Sequence, residues 1–123
     1  MHVLIADEVP AVQAALRVLL EQQPGVEVVG EAADAEELLA QAESTRPDVV
    51  LLGWDLQARA TADLLSALHR LCPASYVIAL GSRPDARRAA LDAGADAFVS
   101  KADPPERLLA AINEYKQDSL VST

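Results

Sequence analysis

Pro47-Asp48-Val49-Val50-Leu51-Leu52-Gly53-Trp54-Asp55-Leu56-Gln57-Ala58 contains the run around which the rest of the chain is organised. Val49, Val50, Leu51 and Leu52 follow one another with no polar alternation, which predicts a strand buried on both faces at the centre of a parallel sheet. The run stops at Gly53. In open parallel α/β sheets ligands bind beyond the carboxyl ends of the strands, so Gly53, Trp54 and Asp55 stand where chemistry is expected. Position 53 brings no side chain to that place.

Upstream, His2-Val3-Leu4-Ile5-Ala6 is a second short apolar run, followed by Asp7, Glu8 and then Pro10, which suits the first turn of a helix. Over 10–23, Val12, Ala15, Leu16, Leu19 and Leu20 recur at helical spacing until Pro24-Gly25 stops the element. Val26, Val28 and Val29 begin a strand that reaches Glu31. Asp34, with Glu37 three residues on, is a carboxylate version of the capping box and opens a helix with the apolar face Ala35, Leu38, Leu39 and Ala42.

Downstream of the central run, Leu64, Leu65, Leu68 and Leu71 predict a helix over 61–71, closed by Pro73. Tyr76-Val77-Ile78-Ala79-Leu80 is a strand ending in Gly81-Ser82. A helix over 84–93 is terminated by Gly94, and a brief strand occupies 97–100. Asp103-Pro104-Pro105-Glu106 opens a last helix whose buried face is Leu108, Leu109, Ile112 and Tyr115. Residues 1–116 make one domain, and 117–123 read as a frayed tail or the start of a linker. Five strands alternating with five helices predict an α/β fold, the flavodoxin-like doubly wound (βα)5 arrangement, with a parallel sheet in the order 2-1-3-4-5.

At 123 residues the chain is long enough for a hydrophobic core without staples. A net charge of -9 argues against a grip on nucleic acid or an anionic membrane, because phosphates are bound by clustered Lys and Arg. Cys72 is the single cysteine, so an internal disulfide is excluded, which suits a reducing compartment. The first residues read as a strand and not as a signal peptide, and no apolar run approaches membrane-spanning length. The expectation is a cytoplasmic protein.

The predicted topology brings Asp7, Glu8, Gly53 and Asp55 to one crevice, with Lys101 approaching from the far side after the fifth strand. Neighbouring carboxylates at a strand end suit a hard cation such as magnesium, which takes oxygen ligands and keeps several waters. The plainer alternative is that acids gather at helix starts for dipole reasons, and that Lys101 is a surface lysine. His2 and His69 have no partners at metal-ligand spacing and receive no role.

From end to end the chain resembles the receiver domain of two-component response regulators. The matching stretches are Val3-Leu4-Ile5-Ala6-Asp7-Glu8, Pro47-Asp48-Val49-Val50-Leu51-Leu52, Ala93-Gly94-Ala95-Asp96-Ala97-Phe98 and Lys101. Val28-Val29-Gly30-Glu31-Ala32 is similar to the subgroup that precedes a helix-turn-helix output domain. The resemblance implies that Asp7 and Glu8 help to hold magnesium, that Lys101 contacts a phosphoryl group and that Phe98 is the aromatic that changes rotamer. It also implies an aspartate at the end of the third strand as phosphoacceptor and a hydroxyl at the end of the fourth. Here the chain departs: the acceptor position is Gly53, and the hydroxyl position falls on Gly81, with Ser82 one residue late.

Glycine has no nucleophile, so no acyl phosphate can form at position 53. The expected function is therefore an atypical receiver that works as a protein-interaction or dimerisation module and controls an attached or partner output such as transcription, with no enzymatic activity and no required cofactor. Weak magnesium binding by Asp7, Glu8 and Asp55 remains open, and Trp54 is placed at the pocket rim, over its mouth or as a loop aromatic. The expected surface is the fourth helix, fifth strand and fifth helix, where Arg87, Arg88, Arg107 and Lys116 could meet acids on a second copy. The alternative is a working phosphorelay receiver with Asp55 as substitute acceptor. A flavin or corrinoid carrier is set aside, because Asp7-Glu8-Val9-Pro10-Ala11 would repel phosphate after the first strand.

Overall fold

The computed structural model describes residues 1–54, 61–83 and 85–121, and the side chains of all of these except 61–62 and 116–121. Strand β3 (Val49–Gly53) lies at the middle of a five-stranded sheet and is buried along its whole length. Strand β1 (His2–Ala6) pairs with it on one side, Val3 opposite Val49 and Ala6 opposite Leu52. On the other side β4 (Tyr76–Gly81) sets Leu80 opposite Gly53. With β2 (Glu27–Ala32) and β5 (Ala97–Ser100) at the edges, the order is β2-β1-β3-β4-β5, all parallel. This is the architecture the alternating strand and helix patterns predict.

The helices are α1 (Pro10–Glu21), α2 (Ala35–Thr45), α3 (Thr61–Leu71), α4 (Ala86–Asp92) and α5 (Pro105–Val121). Strand alternation divides the core into two layers. Val3, Ile5, Val49, Leu51, Ile78, Leu80 and Val99 pack with Leu20 of α1 and with Leu108 and Ile112 of α5. Leu4, Ala6, Val50, Leu52, Val77 and Ala79 pack with Leu38 and Ala42 of α2 and with Leu64, Leu65 and Leu68 of α3. Burying a Val, Leu or Ile side chain is worth about 1.5–3 kcal/mol, so these two layers dominate the favourable side of folding.

The helix ends follow the local chemistry. Asp34 Oδ1 accepts the Glu37 amide at 2.8 Å, and Glu37 Oε2 reaches back to accept the Ala33 amide at 3.0 Å. Helix α2 stops before Pro47, with Arg46 in the left-handed region at φ 46°. Gly94, at φ 115°, supplies the turn between α4 and β5 that an L side chain would resist.

Two boundaries differ from expectation. Helix α5 continues to Val121, past the boundary expected at 116, because 117–121 contains neither Pro nor Gly to stop it. Helix α4 is shorter than the expected 84–93, and Pro84 lies outside the described residues. Among the described residues no helix is long and apolar enough to cross a membrane.

Candidate functional site

All five strands are parallel, so their carboxyl ends share one edge, and β1, β3 and β5 deliver Asp7, Gly53 and Lys101 to it. Asp7 continues the alternation of Val3 and Ile5, Gly53 that of Val49 and Leu51, and Lys101 that of Val99. All three therefore belong to the layer covered by α1 and α5.

Asp7 is held from several sides. Its amide donates to Ala32 O at 3.0 Å, Gln13 Nε2 of α1 donates to its carbonyl, and its Oδ1 accepts the Val9 amide at 2.9 Å. Its side chain is 1% exposed, and its Oδ2 lies 2.8 Å from Lys101 Nζ, itself 23% exposed. That contact is an ion pair whose angles fall outside hydrogen-bond geometry, so Oδ2 is buried with a charge partner but no aligned donor. Lys101 is fixed at its backbone, where its amide donates to Gly81 O at 2.8 Å.

Gly53 explains how the pair closes. A Cβ at this position would lie 2.6 Å from Asp7 Oδ2, closer than real Cβ contacts come, and a tight 3.1 Å from Asp7 Cγ. The carboxylate occupies the room that a side chain at 53 would use. Gly81 is filled in the same way from the other layer: a Cβ there would meet Phe98 Cε2 at 2.8 Å and Cζ at 2.9 Å. The Phe98 ring packs against the α2 and α3 layer. It stands where a residue bearing the expected hydroxyl would have to place its side chain.

The remaining sequence-predicted residues are spread out. Glu8 and Ser82 are exposed, and Asp55 lies outside the described residues. Trp54 is half-buried and packs against the layer of Leu4 and Val50, and its amide extends the sheet by donating to Leu80 O at 2.7 Å. It is therefore anchored to the core through its backbone and part of its ring, directly after Gly53. The fit to magnesium is poor among these groups. Asp7 Oδ1 accepts from the Val9 amide, its Oδ2 faces an ammonium, and no three or more His, Cys, Asp or Glu side chains among the described residues gather as a metal site.

The face made by α4, β5 and α5 carries both signs of charge. Arg87 and Arg107 line a shallow depression of about 730 Å³ together with Asp96, Asp103 and Glu114. Arg88 Nε lies 3.9 Å from Asp92 Oδ2 on its own helix, and the Lys116 side chain is outside the described set. Sequence reasoning set Lys101 across the crevice from Asp7, but it missed two details, the closure of that pair into the room beside Gly53 and the filling of position 81 by Phe98. The paired glycines at the ends of β3 and β4 were the signal for both.

Comparison with known proteins places this geometry in a family context. The response regulator receiver domain model matches residues 3–113. The nitrate/nitrite response regulator protein NarP of Escherichia coli strain K12 is 37% identical over 123 residues, covering 98% of this chain and 57% of NarP. The chain thus spans little more than half the length of that relative. A LuxR-family two-component response regulator from Aurantimonas sp. SI85-9A1 superposes with a TM-score of 0.83 at 28% identity, over 92% of this chain and 82% of that one. A CheY-like receiver domain protein from Methanospirillum hungatei JF-1 gives a TM-score of 0.85 at 28% identity, over 99% and 98%.

Proposed function

We propose, from the premise that this chain belongs to the response regulator receiver domain family, that it signals without being phosphorylated at the end of β3. One observation carries this: Asp7 Oδ2 lies 2.8 Å from Lys101 Nζ in space that any side chain at position 53 would need. Glycine offers no oxygen to accept a phosphoryl group. The lysine that would meet that group is instead neutralised by Asp7. With Phe98 packed in the space beside Gly81, the rotamer change of the family's aromatic has no hydroxyl to answer to.

Its function is then that of an interaction module, non-enzymatic and cytoplasmic, controlling an attached or partner output such as transcription. The match to NarP and to a LuxR-family regulator supports the transcriptional setting. The domain itself, at -9, does not hold nucleic acid. Its contact surface is the α4, β5 and α5 face, for protein partners or for a second copy. Arg87 and Arg107 beside Asp96, Asp103 and Glu114 suit a twofold contact, in which each sign meets its opposite. Receiver domains bind magnesium for phosphorylation. Here Asp7, Glu8 and Asp55 are at most a weak or vestigial site, and no step depends on the metal.

The test is incubation with acetyl phosphate and magnesium followed by intact mass. The expected result is no phosphoryl adduct. An adduct that disappears in Asp55→Ala would instead establish the phosphorelay alternative.

A further inference from the structure

We propose that α4 is a gate on the face made by α4, β5 and α5, and that it opens by local unfolding, with no covalent change required. The inference rests on the reading of that face as the contact surface and adds how it is regulated. Helix α4 (Ala86–Asp92) has seven residues. An isolated helix is marginal in water below roughly 12–15 residues, so tertiary anchorage has to hold α4 in place. That anchorage is slight. Leu20 of α1, Leu38 of α2, Leu64, Leu65 and Leu68 of α3 and Leu108 of α5 are all buried, whereas α4 buries only Ala90 and leaves Leu91 36% exposed.

The ends and charges of α4 do not compensate. Asp85, at the N-cap, has right-handed helical angles, φ -70° and ψ -16°, and its side chain makes no cap hydrogen bond. The first turn therefore lacks the acceptor that Asp34 gives to α2. The Asp85 charge has the favourable sign, but Arg87 and Arg88 follow it in the first turn and Asp92 is the last residue, the reverse of the signs that the helix dipole favours. Arg88 Nε and Asp92 Oδ2 are 3.9 Å apart with the cation on the N-terminal side, the weaker of the two orders, and both side chains are open to solvent. Alanine at 86, 89 and 90 favours helix, so the docked form is reached but lightly held.

Gly94, at φ 115°, lies just past α4 and is a ready hinge. Helix α4 contributes Arg87 and Leu91 to the depression shared with β5 and α5, and its Ala90 belongs to the layer against which the Phe98 ring packs. A Cβ built at Gly81 would have the Phe98 ring at 2.8 Å and Ala86 Cβ at 3.4 Å, so the ring and the start of α4 border the same point at the end of β4. When α4 lifts, Arg87 and Leu91 leave the depression and Phe98 loses apolar cover. A protein that docks on the closed face therefore stabilises α4 and shuts the gate by mass action.

Native-state hydrogen exchange of the whole chain, followed by amide NMR below the denaturant concentrations that unfold it, reads the gate. After correction for intrinsic rates, the amides of Ala90, Leu91, Asp92 and Ala93 are expected to exchange about a hundredfold faster than those of Leu65 and Leu68 in α3, with little dependence on denaturant. Arg88→Glu with Asp92→Arg, both at exposed positions, puts the favourable signs at the two ends and is expected to slow α4 exchange roughly fivefold while α3 is unchanged. Ala89→Pro, also at an exposed position, abolishes α4 and is expected to leave the amide spectrum of the other four helices intact while Nile red gains fluorescence. The proposal is overturned if α4 amides exchange in step with α3, if the reversed pair leaves their rates unchanged, or if Ala89→Pro unfolds the whole domain. A phosphoryl adduct after acetyl phosphate treatment would overturn the functional reading and leave these exchange rates as they are, so the two failures are told apart.

Discussion

Asp7 and Lys101 form an ion pair at 2.8 Å across the end of β3, beside a residue that has no side chain to separate them. Because Asp7 is 1% exposed, that ammonium is the counter-charge of a buried carboxylate. Lys101→Met is expected to destabilise the domain by about 3 kcal/mol, within the range for breaking a buried pair. Asp7→Asn with Lys101→Met should recover much of the loss, and urea unfolding of the four proteins measures the coupling. Additive losses would mean that the two groups do not act as a pair.

Gly53→Asp sets a second buried carboxylate against a single ammonium, with its Cβ 2.6 Å from where Asp7 Oδ2 now lies. In EDTA the variant should be less stable than wild type by about 2 kcal/mol, from overpacking and like-charge repulsion. Magnesium can replace the lysine as counter-ion to two carboxylates, so thermal unfolding of the variant should shift upward with the metal while wild type stays put. An equal shift in wild type would show that its acids already form a working metal site.

Gly81→Ser is expected to push the Phe98 ring from its present packing, since the new Cβ would approach ring carbons to 2.8 and 2.9 Å. A loss of about 1–3 kcal/mol follows from the forced shift. Phe98→Ala should cost less in the Gly81→Ser background than alone, because the ring is then already displaced. Denaturant midpoints of the single and double variants decide this, and strict additivity would count against the packing described.

Beryllofluoride titration monitored by Trp54 fluorescence tests the site more directly. Trp54 is fixed next to Gly53 and half-buried against the core, so an anion bound at the strand ends would be expected to alter its emission. The expected outcome is no saturable change with beryllofluoride and magnesium together. A saturable change would reopen phosphate chemistry at this edge.

Tyr115 stacks edge-on against Tyr76 with ring centroids 5.4 Å apart, and burial followed by the nearby Asp48 carboxylate raises its pKa from 10.0. The folded state therefore holds the phenolic proton more tightly than the unfolded chain does. Stability from this group is fully present below pH 10.0 and declines as pH rises through the higher folded value. Tyr115→Phe should flatten that alkaline decline, as measured by urea unfolding from neutral pH upward. An unchanged slope would assign the decline to other groups.

Much of this was legible in the residues themselves. The unbroken run from Val49 to Leu52 marked the central strand, and Asp34 with Glu37 marked the start of α2, because burial and capping leave local patterns. Gly53 was readable as a strand end with no side chain to accept a phosphoryl group. The strand order already set Lys101 across from Asp7, but the 2.8 Å closure of the pair into the room beside Gly53 was not readable, since it depends on how side chains about a hundred residues apart in sequence settle in three dimensions. The same holds for Phe98, whose ring can be assigned to the space beside Gly81 only once β4 and β5 are in register, with Ala79 opposite Phe98.

The two glycines at the strand ends also bear on how substitutions here combine. An aspartate introduced at 53 would arrive where Asp7 already leans, and a serine introduced at 81 would arrive where Phe98 already packs. Either side chain brought in alone would meet an occupied space, so accommodating it calls for a second, compensating change at Asp7 or at Phe98. The two strand ends are thus coupled pairs of positions and not independent sites for substitution.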